Sequence, residues 1–267
     1  MSALPPTTGD PAMYVHERGV AVVTGAARRI GRAIALDLAA HGHAVAVHCN
    51  ASREEAEEVA EEIRHGQGRA MVVTADLADP AAVARVMAEV EAGLGVPTVL
   101  VNNASLFERD EVLTLDPDLY ARHMAVNLTA PVFLARDLAR RLPADREGLV
   151  INMIDQRVWR LTPMFFSYTL AKSALWTATQ TLAQGLAPKV RVAGIGPGPT
   201  LANTRQSPAD FRRQTEAVPL RRGPGLAEVT AAIRFVLETP SFTGQMLALD
   251  GGQHLAWETP DVVGVGE

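Results

Sequence analysis

Short β-branched runs alternate with longer helical patterns from Gly19 onward, and this rhythm constrains the fold more than any other feature of the sequence. The predicted strands are residues 20–24, 44–48, 71–74, 98–101, 149–153, 190–195 and 246–249. The predicted helices are residues 30–41, 53–65, 80–92, 115–142, 167–187 and 226–237. Several strands are almost continuously apolar, which is typical of parallel strands buried on both faces. The sequence therefore predicts an α/β fold: a doubly wound, seven-stranded parallel sheet with helices on both faces.

The chain is predicted to form a single domain over residues 19–267, because no repeat or interior linker divides it. Residues 1–18 contain prolines and glycine without the basic start and apolar stretch of a secretory signal, so we expect a flexible N-terminal arm. Residues 197–225 form the longest irregular section, for which a mobile substrate lid and a loop without function both remain open.

Composition and charge narrow the class of protein. With 48% hydrophobic and 21% charged residues, the chain has the composition of a globular protein with a sizeable core. A net charge of −5 without a cluster of Lys and Arg argues against binding nucleic acid. The single cysteine, Cys49, excludes an internal disulfide, and no apolar run approaches the roughly 18 residues of a membrane helix. We therefore expect a soluble, cytoplasmic protein, and the isolated histidines predict no metal site.

A glycine-punctuated turn at residues 24–31 joins the first strand to the first helix. Such a turn lets the backbone approach a pyrophosphate, whose charge is met by exposed amides and the positive helix end. The pattern favours a dinucleotide site, and an ordinary tight turn between strand and helix is the alternative.

The end of the second strand bears on the choice between NAD and NADP. No carboxylate occurs there before Glu54, whereas an acid would bind the ribose hydroxyls of NAD and repel a 2′-phosphate. Asn50, Ser52 and either Arg53 or Arg28 are able to hydrogen-bond that phosphate, so NADP(H) is the predicted cofactor. Ser52 is equally suited to cap the following helix.

Tyr168 and Lys172 are four residues apart, on the same face of a predicted helix. A neighbouring cation favours the phenolate, so we expect a lowered tyrosine pKa and proton exchange near neutral pH. Asp155 lies thirteen residues earlier, at the carboxyl end of a strand, where ligands of open α/β sheets bind. Taken alone, the Tyr/Lys pair is also compatible with a solvated helix face.

Together these motifs resemble the short-chain dehydrogenase/reductase family. The resemblance spans about residues 19–255 and is carried by Thr24-Gly25 with Gly31, Asp76-Leu77, Asn102-Asn103-Ala104, Asn127, Tyr168 with Lys172, Pro197-Gly198 and Asp250-Gly251-Gly252. It implies a Rossmann-type fold in which the tyrosine protonates the substrate, the lysine holds the nicotinamide ribose and Asn127 supports a water relay. It also implies a homotetramer joined through the two long helices and the last strand.

The resemblance places the cofactor along one edge of the sheet. Asp76 is implied to hold the adenine, Asn103 to form the adenosine-side wall, and Pro197 with Gly198 to contact the nicotinamide. The complete set implied for the cofactor is Gly25, Arg28, Arg29, Ile30, Gly31, Asn50, Ser52, Asp76, Leu77, Asn103, Ala104, Lys172, Pro197, Gly198 and Thr200.

Two departures from the common pattern indicate the substrate. Arg29 replaces the middle glycine of the turn, and Asp155 replaces the serine thirteen residues before the tyrosine; both changes resemble pteridine reductases. Ser105 and Phe107 also resemble that branch, which binds its substrate with a serine and stacks a phenylalanine on the pterin. The implied activity is NADPH-dependent reduction of a pterin C=N bond in a dihydropteridine- or dihydromonapterin-type substrate. The implied catalytic residues are Asp155, Tyr168, Lys172 and Asn127, and the implied substrate-binding residues are Arg29, Ser105, Phe107 and Tyr168.

Each assignment has a plainer alternative. Phe107 is compatible with a core position, Asp155 with a helix cap or an ion pair to Arg157 or Arg160, and Arg29 with a solvated side chain. The branch would also place a basic residue directly after Asn50, where this chain has alanine. The rival functions are a reductase of ketones or acyl thioesters and a non-catalytic NADP-binding regulatory protein.

Overall fold

A computed structural model describes residues 18–203 and 206–258 of the chain. The strands are β1 Val20–Val23, β2 Ala44–Cys49, β3 Ala70–Thr74, β4 Pro97–Asn102, β5 Gly148–Met153, β6 Val190–Pro197 and β7 Met246–Leu249. The helices are α1 Arg29–Ala40, α2 Arg53–His65, α3 Pro80–Leu94, α4 Pro117–Met124, α5 Ala130–Arg141, α6 Phe166–Leu186, α7 Pro208–Glu216 and α8 Leu226–Glu238. All residues of the predicted N-terminal arm except the last, Arg18, lie outside the described residues.

The seven strands form one sheet in the order β3-β2-β1-β4-β5-β6-β7, and every pair is parallel. The order reverses direction between β1 and β4, so the connections leave opposite sides of the sheet there. Crevices at such a point, outside the carboxyl ends of the strands, bind ligands in open α/β sheets. The predicted α/β fold class is confirmed.

Helices cover both faces of the sheet because the strands are apolar on both sides. On one face, α1, α2 and α8 contribute side chains such as Leu38, Ile63 and Ile233 to the core. On the other face, α3 and α5 contribute Met87 and Leu134, among others. Burying one such side chain stabilises the fold by roughly 2 kcal/mol. This two-sided core holds the carboxyl ends of β1, β4 and β5 in a fixed relation.

The single helix predicted over residues 115–142 is wrong in detail. Asp116 accepts a hydrogen bond from the amide of Leu119 at 2.7 Å and caps α4, which begins at Pro117. A π-helical turn, Ala125–Thr129, then separates α4 from α5. Turns of this kind occur frequently at functional sites, and this one contains Asn127.

The section predicted as irregular, residues 197–225, contains the helix α7. Ser207 caps it by accepting a hydrogen bond from the amide of Asp210 at 3.1 Å, and Pro208 occupies the first helical position. A serine followed by proline and an acidic first turn is a recognised start signal for a helix, so the sequence contained the information needed.

Candidate active site

The turn after β1 depends on two glycines. Gly25 has a φ of +62°, and a Cβ added there would lie 2.9 Å from Cα of Ala104. A Cβ at Gly31 would lie 2.1 Å from the carbonyl oxygen of Gly25 and 2.6 Å from Nδ2 of Asn103. The backbone of the turn, the start of α1 and the segment after β4 therefore approach one another more closely than a side chain permits.

Arg29 also has a left-handed backbone, with a φ of +55°. This conformation costs an L-residue on the order of 1 kcal/mol and explains why glycine is common at this place. Its guanidinium donates to the carbonyl oxygens of Ala202 at 2.7 Å and Leu201 at 3.1 Å. Arg29 thus joins the turn to the segment that follows β6.

His48 links three strands at the carboxyl edge of the sheet. Its Nδ1 accepts from the amide of Gly25 at 3.1 Å, and its Nε2 lies 3.1 Å from the carbonyl oxygen of Ala75. The amide of Ala26 donates to the His48 carbonyl oxygen at 2.8 Å. Because Nδ1 must accept, the proton of the neutral ring is on Nε2. Burial lowers the pKa of His48 from 6.5 to about 4, so the ring stays neutral.

A first cleft of about 430 Å³ opens beside this turn. Of the residues predicted to contact cofactor, it is lined by Gly25, Arg28, Arg29, Ile30, Gly31, Asn50, Asp76, Leu77, Asn103 and Ala104, and Ser105 borders it. Arg28 is also ion-paired with Glu55. Ser52 does not line the cleft and makes no side-chain cap hydrogen bond to α2, so neither role considered for it is seen.

The segment after β4 is held by side chains that hydrogen-bond to its backbone. Oγ1 of Thr24 accepts from the amides of Asn103 at 2.9 Å and Ala104 at 3.0 Å. Both polar atoms of the Asn127 side chain pair with Leu106, accepting from its amide at 2.9 Å and donating to its carbonyl at 2.8 Å. The Asn127 side chain therefore positions the loop that carries Ser105 and Phe107.

A second cleft of about 190 Å³ shares Arg29 and Ile30 with the first. The other predicted site residues that line it are Phe107, Asp155, Tyr168, Pro197, Gly198 and Thr200. Oη of Tyr168 donates to Oδ2 of Asp155 at 2.9 Å, and Oδ1 of the same carboxylate accepts from the amide of Arg157 at 2.8 Å. Asp155 therefore caps a short turn and contacts the phenol at once.

The electrostatics of this pair differ from expectation. Burial, followed by the negative charge of Asp155, raises the pKa of Tyr168 well above its usual value of 10.0. The lowered tyrosine pKa predicted from the neighbouring lysine is therefore wrong, because the Asp155 carboxylate and burial dominate. Burial likewise raises the pKa of Asp155, against the opposing effects of the Arg157 amide and guanidinium. At neutral pH the phenol is protonated and able to donate.

Lys172 lies behind the tyrosine on α6. It is fully buried, its Nζ donates to the carbonyl oxygen of Met153 at 2.7 Å, and it stands 5.8 Å from the centre of the Tyr168 ring. Burial lowers its pKa from 10.5 to about 8, although the Asp155 charge opposes the shift. Neither Lys172 nor Asn127 lines the clefts, so both act from behind the surface that a ligand would touch.

Phe107 belongs to an aromatic group beside the tyrosine. It stacks on Phe165 with ring centres 4.3 Å apart and an interplanar angle of 2°, and it meets Tyr168 edge-on at 4.7 Å. Phe165 has a left-handed backbone, with a φ of +57°, and its amide donates to the carbonyl oxygen of Asp110 at 2.9 Å. One face of Phe107 is therefore covered by protein.

Arg157, Phe165 and His48 were not singled out by the sequence analysis as site residues. The sequence suggested Arg157 only as an ion-pair partner of Asp155. His48 was only one of the isolated histidines. The signal available for Arg157 was its position two residues after Asp155, whereas Phe165 lies close to Phe107 only through the tertiary fold.

Within the described residues, no three His, Cys, Asp or Glu side chains form a group able to hold a metal ion. Across the same residues, every helix is too short or too polar to cross a membrane.

Comparison with known proteins shows the family. The short chain dehydrogenase family matches residues 19–212. A short-chain type dehydrogenase/reductase from Picea abies is 30% identical over 248 residues, which cover 88% of this chain and 92% of the relative. The chain belongs to the short-chain dehydrogenase family and is an oxidoreductase, as the resemblance of its motifs predicted.

Two solved structures are more similar in sequence. FolM alternative dihydrofolate reductase 1 from Brucella suis, in complex with NADP, is 54% identical with a TM-score of 0.90, over 92% of this chain and 99% of that one. The protein of the same description from Brucella canis, also with NADP, is 53% identical with a TM-score of 0.90, over 95% and 100%.

Proposed function

We propose that this chain is an NADPH-dependent reductase of a C=N bond in a pterin of the dihydropteridine or dihydromonapterin type, with Tyr168 as the proton donor. The observation that carries the proposal is the 2.9 Å hydrogen bond from Tyr168 to Asp155 in a cleft walled by Phe107. An aspartate at this place departs from the serine of ordinary carbonyl reductases. The similarity to the two FolM dihydrofolate reductases supports the same substrate class.

The first cleft suits NADP. Its turn leaves no room for a Cβ at Gly25 or Gly31, so backbone amides are able to contact a pyrophosphate directly. Asn50 lines the cleft at the end of β2, where no carboxylate would repel a 2′-phosphate, and Arg28 adds a positive charge. Both FolM neighbours were solved with NADP. NADPH, when bound, supplies the hydride.

The residues of the second cleft supply the proton and hold the ring. Tyr168 donates its proton to the ring nitrogen while the neighbouring carbon becomes C–H, and the half-buried Asp155 returns a proton to the phenol from solvent. Lys172, buried behind the tyrosine, presents a positive charge beneath it. Phe107, which lines the cleft, stacks on the pterin, a contact that contributes on the order of 1 kcal/mol, while Ser105 and Arg29 bind its polar edge.

The direct test is NADPH oxidation by the wild-type protein with a dihydropterin and, separately, with a panel of simple ketones and an acyl thioester. The variants Asp155→Ser and Asp118→Asn provide the site variant and an exposed carboxylate control. We expect turnover of the dihydropterin that Asp155→Ser abolishes and Asp118→Asn preserves. Turnover of ketones alone, retained or improved by the serine, would replace this proposal with a general carbonyl reductase.

We also propose a cytoplasmic homotetramer. The large apolar side chains of Phe133 on α5 and Leu170 on α6 are 42% and 40% exposed, which supports an interface along these helices. The free thiol of Cys49 is compatible with a reducing compartment. Light scattering of the purified protein measures the number of subunits, and a mass equal to one chain would contradict the tetramer.

A further inference from the structure

The second cleft carries more positive than negative charge, although the chain as a whole is acidic. Among the described residues, its charged lining residues are Arg29, Arg157 and Asp155, so two guanidinium groups face one carboxylate. The whole chain has a formal charge of −5. A locally positive cleft on an acidic protein attracts an anionic ligand selectively.

The two arginines are not equivalent. Two N–H groups of the Arg29 guanidinium donate to the backbone oxygens of Leu201 and Ala202. The Arg157 guanidinium has a long hydrogen bond of 3.4 Å to Thr162 and, among the described residues, no carboxylate within ion-pair distance. Arg157 therefore keeps donor capacity for a ligand.

Aromatic rings hold Arg157 in place beside the catalytic pair. Its Cζ lies 4.9 Å from the ring centre of Phe165 and 5.6 Å from that of Phe107, close enough for cation–π attraction. The stacked pair limits the movement of the guanidinium and screens one side of it from water. A guanidinium group that is already held in place and partly shielded from water loses less conformational entropy and less hydration when it binds a carboxylate than a mobile surface arginine does.

The position of Arg157 beside the stacked rings of Phe165 and Phe107 suits contact with a substituent of the bound ring. A ring whose nitrogen lies at the Tyr168 hydroxyl borders Phe107, which meets that tyrosine edge-on. A side chain that leaves the ring past Phe107 and Phe165 then passes the guanidinium.

From these contacts we infer that Arg157 is a specificity-determining residue that binds a carboxylate on the side chain of the substrate. The substrate class is then a pterin with an anionic tail, as in a dihydrofolate, in preference to a pterin with a neutral side chain. Phe165 is its positioning residue. This inference rests on the proposed function, because it assumes that a pterin occupies the cleft.

The test compares two substrates in four proteins. KM and kcat are measured for dihydrofolate and for 6-hydroxymethyl-dihydropterin with the wild type, Arg157→Gln, Arg157→Lys and the control Arg109→Gln, which removes an exposed arginine paired with Glu111. We expect Arg157→Gln to raise KM for dihydrofolate by roughly 10- to 100-fold and to raise KM for the neutral pterin by a much smaller factor. Arg157→Lys should recover part of the loss.

Binding without turnover supplies a second readout. Calorimetric titration of the NADP⁺ complex with folic acid and with pterin measures Kd for an anionic and a neutral ligand. Arg157→Gln should weaken the binding of folic acid more than the binding of pterin. Added salt should weaken folic acid binding in the wild type more than in the variant.

The outcomes separate the two proposals. Equal rises in both KM values, or no change in either, would overturn the role of Arg157 and leave pterin reduction standing. Failure of the wild type to reduce either substrate would overturn the proposed function and this inference with it. A rise in KM that is much larger for dihydrofolate than for the neutral pterin supports both the proposed function and the role of Arg157.

Discussion

The hydroxyl of Tyr168 donates a 2.9 Å hydrogen bond to the carboxylate of Asp155, and burial together with the charge of that carboxylate raises the pKa of the tyrosine. The proposed reduction of a C=N bond needs this phenol in its protonated form. The pair therefore favours proton donation over a wider alkaline range than a tyrosine beside a neutral residue would allow.

Asp155→Asn tests this coupling because the amide keeps the shape and the acceptor oxygen but removes the charge. Reduction requires the protonated tyrosine, so activity is lost as pH rises through the Tyr168 pKa. Without the carboxylate that pKa falls, and the alkaline limb of the kcat profile should move to lower pH. We expect kcat at neutral pH to fall on the order of 100-fold. An unchanged alkaline limb, measured by NADPH oxidation across pH, would contradict the coupling.

His48 should make the fold acid-sensitive. Its pKa is about 4 in the folded protein and 6.5 in the unfolded chain, so its contribution is complete above pH 6.5 and is lost as pH falls toward 4. The full loss is roughly 3 kcal/mol. Urea unfolding at pH 7.5 and pH 5 should show a smaller decrease for His48→Asn than for the wild type. His43→Asn should behave in the same way, since burial also lowers the pKa of His43 to about 4, and a decrease equal to that of the wild type in both variants would contradict the prediction.

The two histidines differ in their contact with the cofactor turn. His48 accepts from the Gly25 amide in the cofactor turn, whereas His43 does not line the first cleft. NADPH affinity should therefore weaken in His48→Leu, which removes the acceptor, and remain unchanged in His43→Asn. Equal affinities in both variants would argue that His48 acts on stability alone.

Gly31→Ala should damage cofactor binding without unfolding the protein. The added Cβ would lie 2.1 Å from the Gly25 carbonyl oxygen, so the turn must move. A displacement of about 1 Å at a binding site lowers kcat/KM on the order of 100-fold. Gly185→Ala is the matched control, because a Cβ there meets nothing within 4 Å. Fluorescence titration with NADPH measures both variants, and equal affinities would contradict the prediction.

Arg29 pairs a strained backbone with useful side-chain contacts, and two substitutions separate these effects. Arg29→Ala keeps the left-handed φ of +55° without the guanidinium, whereas Arg29→Gly removes the strain as well. The glycine variant should therefore unfold with a free energy about 1 kcal/mol higher than the alanine variant. Both should lose the bonds to residues 201 and 202 and bind the pterin more weakly.

Gln67 supplies the reference for that comparison. It has a φ of +64° in the turn after α2, outside both clefts. The free energy of unfolding of Gln67→Gly should exceed that of Gln67→Ala by a similar amount. Neither substitution should change the KM for the pterin. A difference at Gln67 without one at Arg29 would show that the cofactor turn relaxes on substitution.

The sequence by itself determined the sheet, the turn and the chemical identity of the central residues. Continuous apolar runs specify strands buried on both faces, and Gly25 and Gly31 specify a turn that no other residue fits, because these are local requirements of burial and backbone geometry. The motifs with Asp155, Tyr168 and Lys172 were sufficient to indicate the family, which the comparisons confirm. The single-domain boundary and the roles of the site residues stay predictions.

Only the tertiary structure decided how those residues interact. Periodicity predicted one helix over residues 115–142, but a π-helical turn interrupts it where Asn127 pairs with Leu106. Spacing placed Lys172 near Tyr168 and suggested a lowered tyrosine pKa, yet burial and the Asp155 charge raise it. Phe107 and Phe165 meet across 58 residues of chain, and no local pattern encodes that contact. Electrostatic and aromatic contacts depend on distances in three dimensions, which are set only when the core has packed.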